Sequence, residues 1–274
     1  MTGEQENEMS NRVGYLGPGG SWTHQACLDL FGGDELVPLE VSRLFEDYTS
    51  GCIDHACVPV TTSVVGVTPY LDFVLNLPDV VVVAEYPKML GYSLLASPGT
   101  KLEDIRRVTA HPVALEEVKP WLDLKMPTVQ RIPAVTGGDA ARSVAESGDK
   151  ALASMGPRIG GEIYGLISLA DGIEEGPHNV TRWWVLGREM PVATGDDKTA
   201  LLAEVSDNQL SSLLSTMSAA ELQIMSIYER PSKKTLDTHR YLLEIKGHAQ
   251  DRNVATFLAA NDAIRALGSY ARKY

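Results

Sequence analysis

Three polar residues stand directly before a pair of tryptophans in the stretch EEGPHNVTRWW, residues 174–184. Asn179, Thr181 and Arg182 place an amide, a hydroxyl and a guanidinium where a buried strand is about to begin, with Gly176-Pro177 as a turn just ahead. A positioned hydroxyl can donate a hydrogen bond to oxygen that is acquiring charge, and a guanidinium can grip a carboxylate through two parallel N–H groups. The competing structural reading makes Asn179 and Thr181 turn and capping residues.

Other hydroxyl-bearing or Gly-rich turns each open a helical pattern. Gly17-Pro18-Gly19-Gly20 leads into Ser21, Trp22 and Thr23, with Ser21 at the N-cap position, so free backbone N–H groups and the positive end of a helix dipole face the turn. Thr61-Thr62-Ser63 lies at a strand end, and Thr136-Gly137-Gly138 precedes a helix opening near Asp139. Capping and ligand binding both suit such residues. If the turns converge, they form a polar pocket for an anion.

The elements that must carry these turns alternate. RVGYLG is a strand pattern, and SWTHQACLDLF is a helix with Trp22, Ala26 and Leu30 on its apolar period. HACVPV reads as a strand and TTSVVGVTPYLDFVL as loop and helix. DVVVVAEYP and GYSLLASPG read as adjacent strands and KLEDIRRV as a short helix. VTAHPVALEEVKPWLDL gives strand, turn and helix, with His111 a capping or packing residue at the junction. TVQRIPAVTGGDAARSVAESG and KALASMGPRIGGEIYGL each add a strand and a helix. This is the α/β signature, in which ligands collect at loops beyond strand ends. From Lys198 the order becomes β-α-β-β-α-β, with LGSYA a possible last short strand; this predicts a ferredoxin-like module over 198–274, after a linker at 190–198.

A net charge of −12 and a pI near 4.9 argue against nucleic acid or an anionic membrane as partner. An anionic ligand must be held by local groups against that field. Cys27, Cys52 and Cys57 have no metal-ligand or redox spacing and read as reduced thiols of a cytoplasmic protein. Residues 1–11 are polar and acidic, without the basic start and apolar run of a signal peptide, and read as a disordered leader. No apolar run approaches the roughly 20 residues that span a bilayer.

Five motifs in order resemble the prephenate dehydratase family. The family's G-P-x-G-T/S-[aromatic]-[S/T] turn is matched by YLGPGGSWTHQA, its H-P-x-A-L by AHPVALEEVKPWL, and its Y-G-L-x-x-L-A-x-x-I and N-x-T-R-[aromatic] by YGLISLADGIEEGPHNVTRWW. In the C-terminal unit, YERP stands where the ACT regulatory domain of these enzymes has E-S-R-P, and LGSYA fits as well. The resemblance implies a catalytic region over 12–189, built of two α/β lobes like a periplasmic binding protein, with its second lobe at about 92–178 and an ACT domain at 198–274.

It further implies that Thr181 is the catalytic hydroxyl and that Arg182 holds a carboxylate of a dianionic substrate. Ser21, Trp22, Thr23, Thr61, Thr62, Ser63, Thr136, Gly137 and Asn179 then line the cleft. The implied reaction is joint loss of carbon dioxide and water from prephenate to give phenylpyruvate, with no metal or organic cofactor, in a homodimer or homotetramer. Two cleft motifs depart: P-[IV]-E-N-S becomes PVTTS, and S-T-x-x-A-A becomes TGGDAA. They leave open a prephenate analogue such as arogenate or an amino-substituted prephenate, a non-aromatising decarboxylation, or a metabolite sensor without catalysis. An amino-acid effector at the ACT domain would meet Asn208-Gln209-Leu210, in place of the usual G-A-L, and Tyr228, Glu229, Arg230 and Pro231. Loss of that glycine would crowd a close backbone approach and weaken, abolish or redirect control by phenylalanine.

Overall fold

The α/β alternation is borne out in a computed structural model that describes residues 10–174 and 179–274. Most of the expected leader, and the Gly176-Pro177 turn, lie outside the described residues; Ser10 and Asn11 are tied down by hydrogen bonds to Glu35 and Asp34. The chain runs β1 (Arg12–Leu16), α1 (Trp22–Phe31), β2 (Glu35–Leu39), α2 (Val41–Ser50), β3 (His55–Thr62), β4 (Gly66–Val67), α3 (Tyr70–Asn76) and β5 (Val81–Met89). It continues as β6 (Ser93–Ala96), β7 (Arg107–Ala110), α4 (Pro112–Glu117), α5 (Lys119–Lys125), β8 (Gln130–Pro133), α6 (Gly137–Ser147), β9 (Leu152–Gly156), α7 (Ile159–Tyr164) and β10 (Ile167–Asp171). The last stretch is β11 (Val180–Gly187), β12 (Asp197–Ser206), α8 (Asp207–Ala219), β13 (Ile224–Pro231), β14 (Thr238–Lys246), α9 (Arg252–Ala259) and β15 (Ile264–Ala271).

Three sheets result. The first is ordered β2-β1-β3-β11-β5 with β4 on β3, the second β10-β6-β9-β7-β8, and the third β13-β14-β12-β15. Parallel pairing of β1 with β2 and β3, and of β7 with β8 and β9, follows from the helical crossovers between them. The third sheet is antiparallel throughout and has the ferredoxin-like order expected from the sequence. Its helices α8 and α9 cover one face, where Leu201, Ala203, Met217, Leu243, Ile245, Val254 and Phe257 form the core.

Two compact units emerge. One comprises residues 1–57, 62–64 and 88–181, the other 58–61, 65–87 and 182–274. The boundary falls inside β11, between Thr181 and Arg182. In the second unit Gly268 has a φ of +153°, and a Cβ there would collide with the Val82 carbonyl, so only glycine lets β15 approach β5 this closely.

Three local expectations change. KLEDIRRV forms only a 3₁₀ turn at Leu102–Asp104, because Arg107–Ala110 is claimed by pairing with β8 and β9. β5 and β6, consecutive in sequence, belong to different sheets. The terminal LGSYA lies within an eight-residue strand paired along β12.

Candidate active site

The strand β11 begins at Val180, earlier than the tryptophans, so Thr181 and Arg182 are both strand residues. Successive strand side chains point to opposite faces. The hydroxyl and guanidinium read together from the sequence therefore diverge, and each has its own surroundings.

On the Thr181 side, Thr181 is nearly buried, as is Asn179 just before the strand. The Ser63 hydroxyl accepts from the Val180 amide at 2.8 Å, and the Ser63 amide donates to the Val180 carbonyl at 2.9 Å, which fixes the start of the strand. Thr62 follows Thr61 on the opposite face of β3, the face that Thr181 occupies on β11. The Asn179 amide donates to Glu117 Oε1 at 2.6 Å, and the Tyr92 hydroxyl also bonds within this group. Burial pushes the Glu117 carboxyl above its ordinary range; hydrogen bonds from Asn179 and Tyr92 oppose the shift, and the Glu174 charge adds to it. Burial likewise pushes the Tyr92 phenol well up. Trp22 stands edge-on to Tyr92, ring centroids 6.1 Å apart. Asn179 Oδ1 and Trp22 Nε1 are buried without a hydrogen-bond partner among the described residues.

Two of the three turns, those that open α1 and α6, come together. Ser21 caps α1 by accepting from the His24 amide at 3.2 Å, and Thr136 caps α6 by accepting from the Asp139 amide at 3.0 Å. A Cβ on Gly138 would lie 2.7 Å from the Gly19 carbonyl oxygen and 3.1 Å from the Ser21 nitrogen, so the first turn of α6 rests directly on the Gly-rich turn before α1. The Tyr164 hydroxyl closes the contact by donating to the Gly19 carbonyl at 2.9 Å. Gly137, where the family motif has threonine, packs on Gly156 and Pro157; a Cβ there would lie 3.2 Å from Pro157 Cδ, a tight contact. Thr23 is buried on α1 beside them. Two positive helix ends, from helices of 10 and 11 residues, therefore lie together and attract negative charge. His111 caps α4, as expected, by accepting from the Val113 amide.

Arg182 corrects the sequence reading. Its Nη1 donates to Glu244 Oε1 at 2.5 Å and to Glu85 Oε2 at 3.3 Å, and its Nε donates to the Thr61 hydroxyl at 3.2 Å. Only 2% of the residue is exposed, so the guanidinium is committed to this chain's own carboxylates. Thr61, expected in the cleft, belongs to the same cluster. Lys198 Nζ bonds Glu85 Oε2 at 3.0 Å and sits 3.6 Å from the Tyr274 ring centroid, Tyr270 and Ser226 donate to Glu244, and the Lys273 amide donates to Glu85. Two cations thus face two carboxylates in the interior. Burial alone would raise the Glu244 carboxyl, but Arg182, Ser226 and Lys198 outweigh it and hold it below its ordinary range.

The expected effector residues are mostly occupied with structure. Gln209 Oε1 accepts from the Ser206 amide at 3.1 Å, and Asn208 Oδ1 accepts from the Ser206 hydroxyl at 2.6 Å, capping α8. Leu210 packs on the helix-covered core. Arg230, expected as an effector contact, grips Asp72 through two bonds of 2.7 Å. Tyr228 is half-buried, Glu229 is exposed with Oε1 2.7 Å from His239 Nδ1, and Pro231 ends β13.

Sequence reasoning missed Tyr92, Glu117 and Glu174. Glu117 lies two residues beyond the H-P-x-A-L match and could have been found there; Tyr92 and Glu174 carry no local signal, since only the fold brings them to Asn179 and to each other.

The first two sheets and their crossover helices define a two-lobed α/β protein of the periplasmic-binding-protein-like class, followed by a ferredoxin-like module. The family model described as prephenate dehydratase matches residues 13–191, and the chain belongs to that family. It is 31% identical to the prephenate dehydratase of Mycolicibacterium vanbaalenii, over 94% of this chain and 90% of the relative. The solved prephenate dehydratase of Arthrobacter aurescens in complex with L-Phe superposes with a TM-score of 0.87 at 28% identity, covering 95% of this chain and 90% of that one. A protein described as GqqA, a novel type of quorum quenching acylase, shares the fold with a TM-score of 0.86 at 21% identity, covering 96% and 98% of the two chains. The fold therefore hosts more than one chemistry, and the site has to decide the reaction.

Proposed function

We propose that this protein is a carbon–oxygen lyase that converts prephenate, or a close analogue, to the aromatic product with loss of carbon dioxide and water. The observation that carries the reading is Thr181: a nearly buried hydroxyl two residues after Asn179, with no hydrogen-bond partner among the described residues. Such a hydroxyl is available to donate to the departing ring oxygen, stabilising charge that exists only as the bond breaks. Aromatisation supplies the driving force, so orientation and local charge are the protein's main task. The paired starts of α1 and α6 offer backbone N–H groups to a substrate carboxylate, a role that Arg182 does not fill because its guanidinium is already paired.

Purified protein should consume prephenate and generate the ultraviolet signal of phenylpyruvate in alkali. Consumption without that signal would replace the reading by a non-aromatising decarboxylation, and absence of consumption by a sensor. The C-terminal module is proposed as an ACT domain in a cytoplasmic homodimer or homotetramer. Its control by phenylalanine is proposed to be weak, because Asn208 and Gln209 bond Ser206, the N-cap of α8, and Arg230 is held by Asp72. Micromolar calorimetric binding of phenylalanine would overturn that.

A further inference from the structure

Two residues before Thr181, Asn179 joins an acidic group. The Glu117 carboxyl is bonded to Asn179 and Tyr92, the Glu174 carboxyl accepts from the Tyr92 amide at 2.7 Å, and Trp22 at the start of α1 stands against the Tyr92 ring. Neither carboxyl has an ion-pair partner among the described residues, in contrast to Glu85 and Glu244. Asn179 is 4% exposed, and its Oδ1, an acceptor, is left unpartnered at the same place. A buried acceptor without a donor, beside carboxylates without a cation, lacks a ligand group that carries positive N–H donors.

Prephenate does not supply one, since its side chain ends in a keto acid and both its charges are negative. Arogenate, its aminated form, bears an ammonium where prephenate has the keto oxygen. We propose that Glu117 is a specificity-determining residue of this cleft, and that its carboxylate together with Asn179 Oδ1 favours a cyclohexadienyl substrate bearing a primary ammonium over the dianion. The inference rests on the dehydratase reading and deepens it. The like charge of Glu117 opposes a dianion, while the same charge attracts an ammonium, so neutralising one side chain acts on the two substrates with opposite sign.

The test compares kcat/KM for arogenate and for prephenate in the unaltered protein, in Glu117→Gln, and in Glu116→Gln. Glu116 is an exposed neighbour that loses the same charge. The unaltered protein should prefer arogenate, and Glu117→Gln should move the ratio toward prephenate by at least about tenfold, equivalent to about 1.4 kcal/mol, while Glu116→Gln leaves it unchanged. Glu117→Asp, which keeps the charge, should retain the direction of preference and guards against a folding defect in the amide variant. Turnover with a ratio that Glu117→Gln leaves unmoved, or a preference for prephenate in the unaltered protein, overturns this inference alone. If neither substrate is consumed, the dehydratase reading falls and takes the inference with it.

Discussion

Thr181 and Arg182 are neighbours in the chain and stand in contrasting environments. Around Arg182 every charge has an opposite one: Glu85, Glu244 and Lys198 close a charge-balanced cluster with Thr61, Ser226 and Tyr270 supplying further bonds, although Arg182 Nη2 has no hydrogen-bond partner among the described residues. Around Thr181 the polar groups are left incomplete among the described residues, with a hydroxyl and an amide oxygen lacking hydrogen-bond partners and carboxyls lacking cations. Charge balance holds such a cluster together, because each buried charge would be costly without its partner. Incomplete pairing is costly too, and it is where a ligand has something to add.

The largest effect expected from this contrast is at the paired side. Arg182→Ala leaves Glu85 and Glu244 buried without their guanidinium and should lower unfolding stability by about 3–5 kcal/mol in urea titrations. KM for substrate in the folded fraction should barely move. A small stability loss joined to a large rise in KM would place the guanidinium at the substrate after all and erase the contrast.

Thr181→Ala tests the other side. Removing a donor that acts on developing charge should lower kcat about 10²- to 10³-fold, with thermal unfolding nearly unchanged because no internal hydrogen bond is lost. Unchanged kcat would remove the hydroxyl from the mechanism. Next in size is Gly138→Ala, whose added methyl would press on the Gly19 carbonyl. Prying the two helix starts apart should cost about 1–3 kcal/mol in stability and raise KM more than it lowers kcat, which separates anion holding from the chemistry at Thr181.

The sequence made the α/β alternation, the ferredoxin-like order and the Ser21 cap legible because each depends on local periodicity or on a residue three positions away, whereas α6 opens at Gly137, two residues before the expected Asp139. The partition of Thr181 from Arg182 was within reach as well, had the strand been started at Val180, since alternation then forbids one site for both. What no local pattern could disclose was that Glu244, some sixty residues on, and Glu85 would claim the guanidinium, or that Glu117 and Tyr92 would gather at Asn179. Those are consequences of which strands become neighbours. The altered motifs illustrate the point: Thr61, read as a remodelled cleft wall, bonds the structural arginine instead.

The smallest expected effect separates buried pairing from partly exposed pairing within the second unit. Arg230 and Asp72 form a two-bond pair whose side chains remain 24% and 21% exposed, so solvent and salt screen it more than the Arg182 cluster. Asp72→Asn should cost about 1 kcal/mol or less, and the cost should shrink in high salt, unlike that of Arg182→Ala. Hydrogen bonding from Arg230 lowers the Asp72 carboxyl below its ordinary value. Its contribution is therefore present above the ordinary aspartate range and is lost as pH falls through the depressed folded-state value, so the stability curves of the two proteins should merge on acidification. A gap that persists in acid would mean that packing, not charge, joins β13 to α3; a phenylalanine affinity that rises in the variant would mean that Asp72 holds Arg230 away from an effector.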